Sequence, residues 1–227
     1  MKKVIVISGG SDGLGKEIAL KLSTQNTVVI LAPSKKKLLS VAQEIGCDFE
    51  VCDVSNYDSV DQSVKTVIGK YKRIDYLINN AGIWVEGEVD KNKAEEIKKA
   101  IDINTTGTIY LSKAVIPYMK KQNSGLIINI ISQAGLYGKA ERSVYNASKF
   151  AITGFTKSIQ PELARYNIAV TGIYPGKLNT KLFEKAGVTK TMTDALDPKE
   201  VAKVIEFLLS FPNSVVFPEI GIKHIKG

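Results

Sequence analysis

A doubly wound α/β fold with a parallel sheet of seven strands is predicted by three features of this 227-residue sequence. Seven short apolar runs alternate with helical patterns, and alternation of that kind builds parallel sheets with right-handed crossovers. The runs are rich in Val, Ile and Leu with little alternation, as strands buried on both faces require. The first of them also ends in a glycine-rich turn that opens a helix.

Residues 3–8 form the first predicted strand. Behind it, Ser8-Gly9-Gly10-Ser11-Asp12-Gly13-Leu14-Gly15 leads into a helix over 16–24 whose inner face carries Ile18, Ala19 and Leu22. The second strand is 27–32, and Ser34 is of the residue type that caps a helix, here one over 35–44. After the third strand, 49–53, Ser55 with Asp58 three residues on forms an acidic variant of the capping box. Strands follow at 76–79, 126–132 and 168–174, with a helix from about Arg142 between the last two. Asp197, Pro198 and Glu200 take the N-cap, first and third positions of a final helix striped by Val201, Val204, Ile205 and Leu208, ahead of a seventh strand at 215–222. Residues 177–196 are the least regular and read as an excursion at the carboxyl edge of the sheet, a lid on the ligand side. With no repeat, low-complexity tract or linker, 1–227 reads as one domain.

Composition removes several function classes. At 44% hydrophobic and 24% charged the chain has the balance of a soluble globular domain. Its longest apolar runs, such as Leu126 to Ile131, fall far short of a membrane span, and the start of the chain lacks a signal-peptide core, so a cytoplasmic protein with no membrane partner is expected. Cys47, Cys52 and the single His224 make neither a disulfide framework nor a metal cluster, so no metal is expected. The same scarcity of histidine, without a G-x-S-x-G elbow, argues against hydrolases. The net charge of +8 comes almost wholly from lysine, Arg73, Arg142 and Arg165 being the arginines. The lysines are scattered without interleaved aromatics, which reads as a solvated surface and not a nucleic-acid interface. An acidic or phosphorylated small ligand remains compatible with it.

The chemistry begins at the glycine turn. Glycines 9, 13 and 15 permit a tight turn, close backbone approach to a pyrophosphate and close helix packing, while the helix N-terminus presents amides to anionic oxygen, as in Rossmann-type dinucleotide sites. The acidic residue that such sites place at the end of the second strand is missing: Ala32-Pro33-Ser34-Lys35 stands there. With no carboxylate to repel a 2′-phosphate, and with Ser34 and Lys35 at hand, NADP(H) is favoured over NAD(H). Further on, Tyr145 and Lys149 are spaced to share one helix face. An ammonium group beside a phenol lowers its pKa and makes it a general acid/base, so Tyr145 is expected to be shifted toward phenolate.

Taken together, these motifs resemble the short-chain dehydrogenase/reductase family from Lys3 to about Leu209. Ser8 to Gly15 is similar to the family's TGxxxGxG turn, including Ser11, Asp12 and Leu14. Asp53-Val54 matches its adenine-binding pair, and Asn79-Asn80-Ala81-Gly82 its NNAG stretch. Asn104 matches the active-site asparagine, Ser132 the catalytic serine thirteen residues before the tyrosine, and Tyr145 with Lys149 the YxxxK. Pro175-Gly176 with Leu178 and Thr180 matches the nicotinamide-side PGxxxT. The resemblance implies hydride transfer between a nicotinamide and a carbonyl or alcohol, with Tyr145 as proton donor. Ser132 would bind the reacting oxygen, Lys149 the nicotinamide ribose, and Asn104 a water that relays protons. It further implies a homodimer or tetramer.

Three departures qualify those implications. Pro161 lies inside the helix of Tyr145, where it is expected to remove a hydrogen bond to Lys157 and kink the helix used by family dimers. Asp12 stands where NADP-preferring members often carry a base, with Lys16 in position to compensate. The C-terminus lacks the usual glycine-ending segment, which weakens the case for a tetramer and for a carrier-protein reductase. Trp84, Gln133, Leu136, Tyr137, Tyr174, Lys177 and Phe183 are candidate pocket residues, biased toward an apolar carbonyl substrate, although Lys177 would steer an anion. Two other readings stay open: a cofactor-binding redox sensor without turnover, and a basic nucleic-acid module.

Overall fold

The computed structural model describes residues 2–212 and 214–226; Met1 and Gly227, the ends of the predicted domain, lie outside the described residues. Strands β1 (Val4–Ser8), β2 (Thr27–Ala32), β3 (Asp48–Val51), β4 (Tyr76–Asn79), β5 (Gly125–Ile130), β6 (Ile168–Pro175) and β7 (Glu219–Ile222) pair in parallel in the order β3-β2-β1-β4-β5-β6-β7. Helices α1 (Gly13–Ser23), α2 (Lys35–Ile45), α3 (Tyr57–Tyr71), α4 (Ala94–Ile101), α5 (Gly107–Gln122), α6 (Ser143–Ala164) and α7 (Pro198–Leu209) cover its two faces. Alternate residues of each strand point to opposite faces. Thus Ile5, Ile7, Ile30, Ile78 and Ile128 join the core under α1, α2 and α7, whereas Val4, Val6, Val29, Leu77 and Ile127 join the core under α3, α5 and α6.

The strand order reverses between β1 and β4, and there the loops after the two strands diverge and open a crevice. Its floor is fixed by buried polar bonds that also stitch the sheet to the helices behind it. Asn79 Nδ2 donates to Asn129 Oδ1 at 2.8 Å and to Ser112 Oγ at 3.0 Å, and Asn129 Nδ2 donates to Thr156 Oγ1 at 2.9 Å. The strand ends β4 and β5 are thereby locked to α5 and α6.

Several elements differ in detail from the sequence expectation. β5 stops at Ile130 because Ser132 leaves the ladder and caps a 3₁₀ turn, Gln133–Gly135. β7 starts only after Pro218, which has no N–H for a ladder; its carbonyl instead accepts from Gly172 N and Gln160 Nε2. Asn56, not Ser55, caps α3. Pro161 falls in the last turn of α6, and the helix runs on to Ala164. An unforeseen π turn, Asp102–Thr106, joins α4 to α5. The predicted caps Ser34 and Asp197 hold. Among the described residues no helix is long and apolar enough to cross a membrane.

Candidate active site

The crevice is a cavity of about 1120 Å³ that runs from the glycine turn past the ends of β4 and β5 to the 177–196 excursion. At its β1 end, Gly9 (φ +66°) and Gly13 (φ +50°) take left-handed conformations, which glycine adopts without strain. Gly15 lies beneath the wall: a Cβ there would stand 2.3 Å from the Gly9 carbonyl oxygen, so α1 packs on the turn only through a glycine. Ser8 Oγ accepts from the amides of Asn80 and Ala81 at 3.0 Å, and Asn80 Nδ2 donates back to Ser8 O at 3.0 Å. These bonds weld the turn to the strand on the other side of the crevice.

Around this frame the wall contains Gly9, Ser11, Asp12, Gly13 and Leu14, then Ser34, Asp53 and Val54, then Asn80, Ala81 and Gly82, and on the far side Pro175, Gly176, Leu178 and Thr180. Lys35 is not on it; Lys37 is. Helical phase explains the exchange, since Ser34 is the N-cap and the residue three on returns to its side of the helix while the next one points away. Asp12 Oδ1 accepts from Gly13 N at 2.7 Å. Desolvation raises the Asp12 carboxyl, but a 2.5 Å bond from Lys185 Nζ, the Gly13 amide and the charge of Lys37 outweigh it and hold the group below its usual range. The acid expected to disfavour a phosphate is thus paired by a lysine of the excursion. Lys16 pairs instead with Glu44 at 2.8 Å.

Ser132, Tyr145 and Lys149 come together midway along the wall. Ser132 has φ +145° and ψ 158°, a region nearly reserved for glycine, and its Oγ accepts from Ala134 N at 3.1 Å. That bond directs the hydroxyl proton away from its own loop, and the hydroxyl is close enough to the Tyr145 phenol to pull its pKa down. Lys149 Nζ donates to the Ile130 carbonyl at 3.2 Å and lies over the Tyr145 ring, 5.8 Å from its centroid. Asn104 is buried behind them in the π turn. Its Oδ1 accepts from Ile83 N at 2.8 Å, and its Nδ2 donates to Ile83 O and Ser148 Oγ, both at 3.0 Å. Both side-chain protons of Asn104 are therefore held by protein partners.

The expected lowering of the phenol by Lys149 is not found. Burial pushes Tyr145 up to about 12, more than the Ser132 hydrogen bond and the Arg142 charge pull it down, and burial pushes Lys149 down to about 8. The ammonium sits over the ring face and not at the hydroxyl, so both groups shift toward their neutral forms.

Of the predicted pocket residues, Trp84, Gln133, Tyr137, Lys177 and Phe183 line the cavity. Leu136 and Tyr174 do not: they pack with Ile131 and Ile152 in the core. Arg142 and Lys190 join Glu86 at Trp84 from two segments distant in the chain, and no local sequence signal connects them.

Because the folded pKa of Lys149 lies below the 10.5 of a free amine, its charge opposes folding. Between about pH 8 and 10.5 the unfolded chain holds a proton that the folded one has released, so stability rises with pH across that window. Lys149→Met is expected to raise unfolding free energy at pH 7 by ~2 to 3 kcal/mol and to flatten that rise, as read by urea denaturation at pH 7 and 9.5.

Residues 3–191 match the short chain dehydrogenase family. The chain is 33% identical over 227 residues to an uncharacterized oxidoreductase of Staphylococcus epidermidis, with 99% of this chain and 98% of that protein covered. It is 36% identical over 232 residues to a 3-oxoacyl-[acyl-carrier-protein] reductase of Thermotoga maritima, with 96% and 94% covered. Among solved structures, the closed form of a serine dehydrogenase complexed with NADP+ superposes with a TM-score of 0.93 at 26% identity, covering 99% of this chain and 96% of that one. An actinorhodin polyketide ketoreductase variant with NADPH gives 0.90 at 26% identity, with 98% and 96% covered. Fold, motif order and these likenesses agree, and the chain belongs to the short-chain dehydrogenase/reductase family of oxidoreductases.

Proposed function

We propose that the protein is an NADP(H)-dependent oxidoreductase acting on a small carbonyl or alcohol substrate, with Tyr145 as general acid/base. The observation that carries this reading is the convergence of Ser132, Tyr145 and Lys149 on one wall of a cavity whose far end is the glycine turn. Residues on that wall suit a dinucleotide: bare glycine backbone at Gly9 and Gly13 would admit the pyrophosphate, Leu14 and the start of α1 would offer it amides, and Asp53 with Val54 would hold the adenosine end. When bound, the nicotinamide supplies or accepts the hydride at the substrate carbon.

The protein's part is proton and charge management. Tyr145 Oη, protonated at neutral pH, gives its proton to the oxygen of a carbonyl undergoing reduction. Ser132 Oγ, its proton aimed off its own loop, hydrogen-bonds the same oxygen as charge develops there. Lys149 Nζ donates to Ile130 O and would offer its remaining protons to the nicotinamide ribose. Its amine, pushed down to about 8 by burial, exchanges protons readily at neutral pH and would return one to the tyrosine by way of solvent. Asn104 acts as a positioning residue, tying the Ile83 segment to α6 through Ser148.

Preference for NADP(H) rests on the end of β2, where Ala32, Pro33 and Ser34 carry no carboxylate and Lys37 reaches the cavity. The serine dehydrogenase and ketoreductase structures hold NADP+ and NADPH, respectively. Tyr145→Phe is expected to lower turnover of an aldehyde or ketone with NADPH by roughly a thousandfold while NADPH still quenches Trp84 fluorescence at a similar Kd. In the same titration Lys37→Ala should cost NADPH about tenfold in affinity, the worth of one charge-assisted hydrogen bond, and leave NADH unchanged.

A further inference from the structure

We infer that the substrate carries a carboxylate, received by Arg142 and Lys190 at the excursion end of the cavity; the inference deepens the hydride-transfer reading and names the chemical class of its substrate. Cationic side chains dominate the wall. Nine lysines and arginines line it against three carboxylates, Asp12, Asp53 and Asp194. Asp12 and Asp194 are already paired, with Lys185 and Lys177. Two of these cations, Arg142 and Lys190, stand away from the glycine turn, gathered with Glu86 at Trp84 beside Tyr145.

Their arrangement is built and specific. The Trp84 ring lies 4.3 Å from that of Tyr145, centroid to centroid, and 4.8 Å from that of Phe183. On the same indole stands the Arg142 guanidinium, 5.0 Å from its centroid. Glu86 binds the assembly from behind: it accepts from Trp84 Nε1 at 3.1 Å and from Lys190 Nζ at 2.6 Å, and it is largely buried and off the cavity wall. Arg142 approaches it only to 3.7 Å, which is an ionic contact and not a hydrogen bond. One carboxylate behind the wall therefore orients two cations on the wall without neutralising both.

The position of Arg142 in the fold points the same way. It is the N-cap of α6, makes no capping bond, and is followed by a first turn without an acid. A cation there opposes the helix dipole, and an anion on the cavity side offsets the cost. A carboxylate gives the planar guanidinium two parallel hydrogen bonds and gives Lys190 a second partner besides Glu86. Trp84 and Phe183 then cover the short carbon chain between that carboxylate and a carbonyl held at Ser132 and Tyr145. A small oxo-acid meets all of these groups at once, whereas a neutral ketone leaves one of the two charges, chiefly that of Arg142, without a close counter-charge.

The test uses the full chain saturated with NADP+, with Trp84 fluorescence as the readout. Butanoate and its neutral isostere butanamide are titrated in turn. The proposal expects saturable binding of butanoate at least about tenfold tighter than butanamide, weakened by salt and lost in both Arg142→Met and Lys190→Met, with Arg142→Lys restoring part of it. Lys190 lies on the excursion, away from the caps of the helices, so its variant reports even where Arg142→Met folds poorly. Equal affinity for the two ligands, no saturable response to either, or an unchanged preference in Lys190→Met overturns the proposal. Turnover of 4-oxobutanoate against its methyl ester with NADPH separates this claim from the one beneath it. Binding of butanoate without reduction of either carbonyl compound keeps the anion site and removes the hydride-transfer reading. Equal kcat/KM for acid and ester with no butanoate preference does the reverse.

Discussion

A lysine amine buried against a backbone carbonyl is the constraint around which this site is arranged. Lys149 has no carboxylate partner among its hydrogen bonds; it rests on Ile130 O and the face of Tyr145, and its protonated form is destabilised accordingly. A cost of ~3 kcal/mol is a sizeable share of the 5–15 kcal/mol that holds a domain of this kind together. The surroundings keep the amine from swinging out. Thr105 Oγ1 donates to Ser148 O, Ser148 Oγ donates to Tyr145 O, and Thr153 Oγ1 donates to Gly135 O and Lys149 O, so successive turns of α6 are bonded to the loops that flank it. The π turn at Asp102–Thr106 widens its helix by one residue and delivers Asn104 into the same network.

Strain and charge are concentrated where that network meets the cavity. Ser132 occupies a backbone region costly to any residue with a side chain, and the 3₁₀ turn after it, bonded through Ala134 N, keeps it there. The 177–196 excursion closes the other side through a short bridge between Leu178 and Leu196 and through ion pairs to Asp12 and Glu86. Partly exposed ion pairs contribute about 1 kcal/mol or less each. Such contacts hold the excursion over the cavity, each at a small energy.

Much of this was legible in the sequence because it is local. Parallel strands announce themselves as apolar runs, the glycine turn as a spaced motif, and the caps at Ser34 and Asp197 as single residue types before a periodic stripe. The placement of Ser132 and Tyr145 on the cavity wall also followed from motif order. What escaped depends on three-dimensional context. Lys37 replaces Lys35 at the wall because of helical phase; Tyr174 and Leu136 flank site residues in the chain yet point into the core. The group of Trp84, Glu86, Arg142 and Lys190 spans more than a hundred residues of sequence and leaves no pattern in it. The upward shift of Tyr145 is hidden from the sequence for the same reason: one-turn spacing fixes proximity, but burial, which spacing does not report, decides which protonation state the site favours.

Tyr145 thus stands as an intact phenol beside a lysine amine pushed down to about 8. Labelling tyrosine at Cζ and following the carbon resonances by NMR as pH is raised tests this, with Tyr145→Phe to assign the signal. The account predicts a Tyr145 resonance that keeps its phenol position beyond pH 10, with only a small step near pH 8 as Lys149 above the ring loses its charge. A full phenolate shift with a midpoint near pH 8 would contradict it, and would place the proton on Lys149 in the resting site.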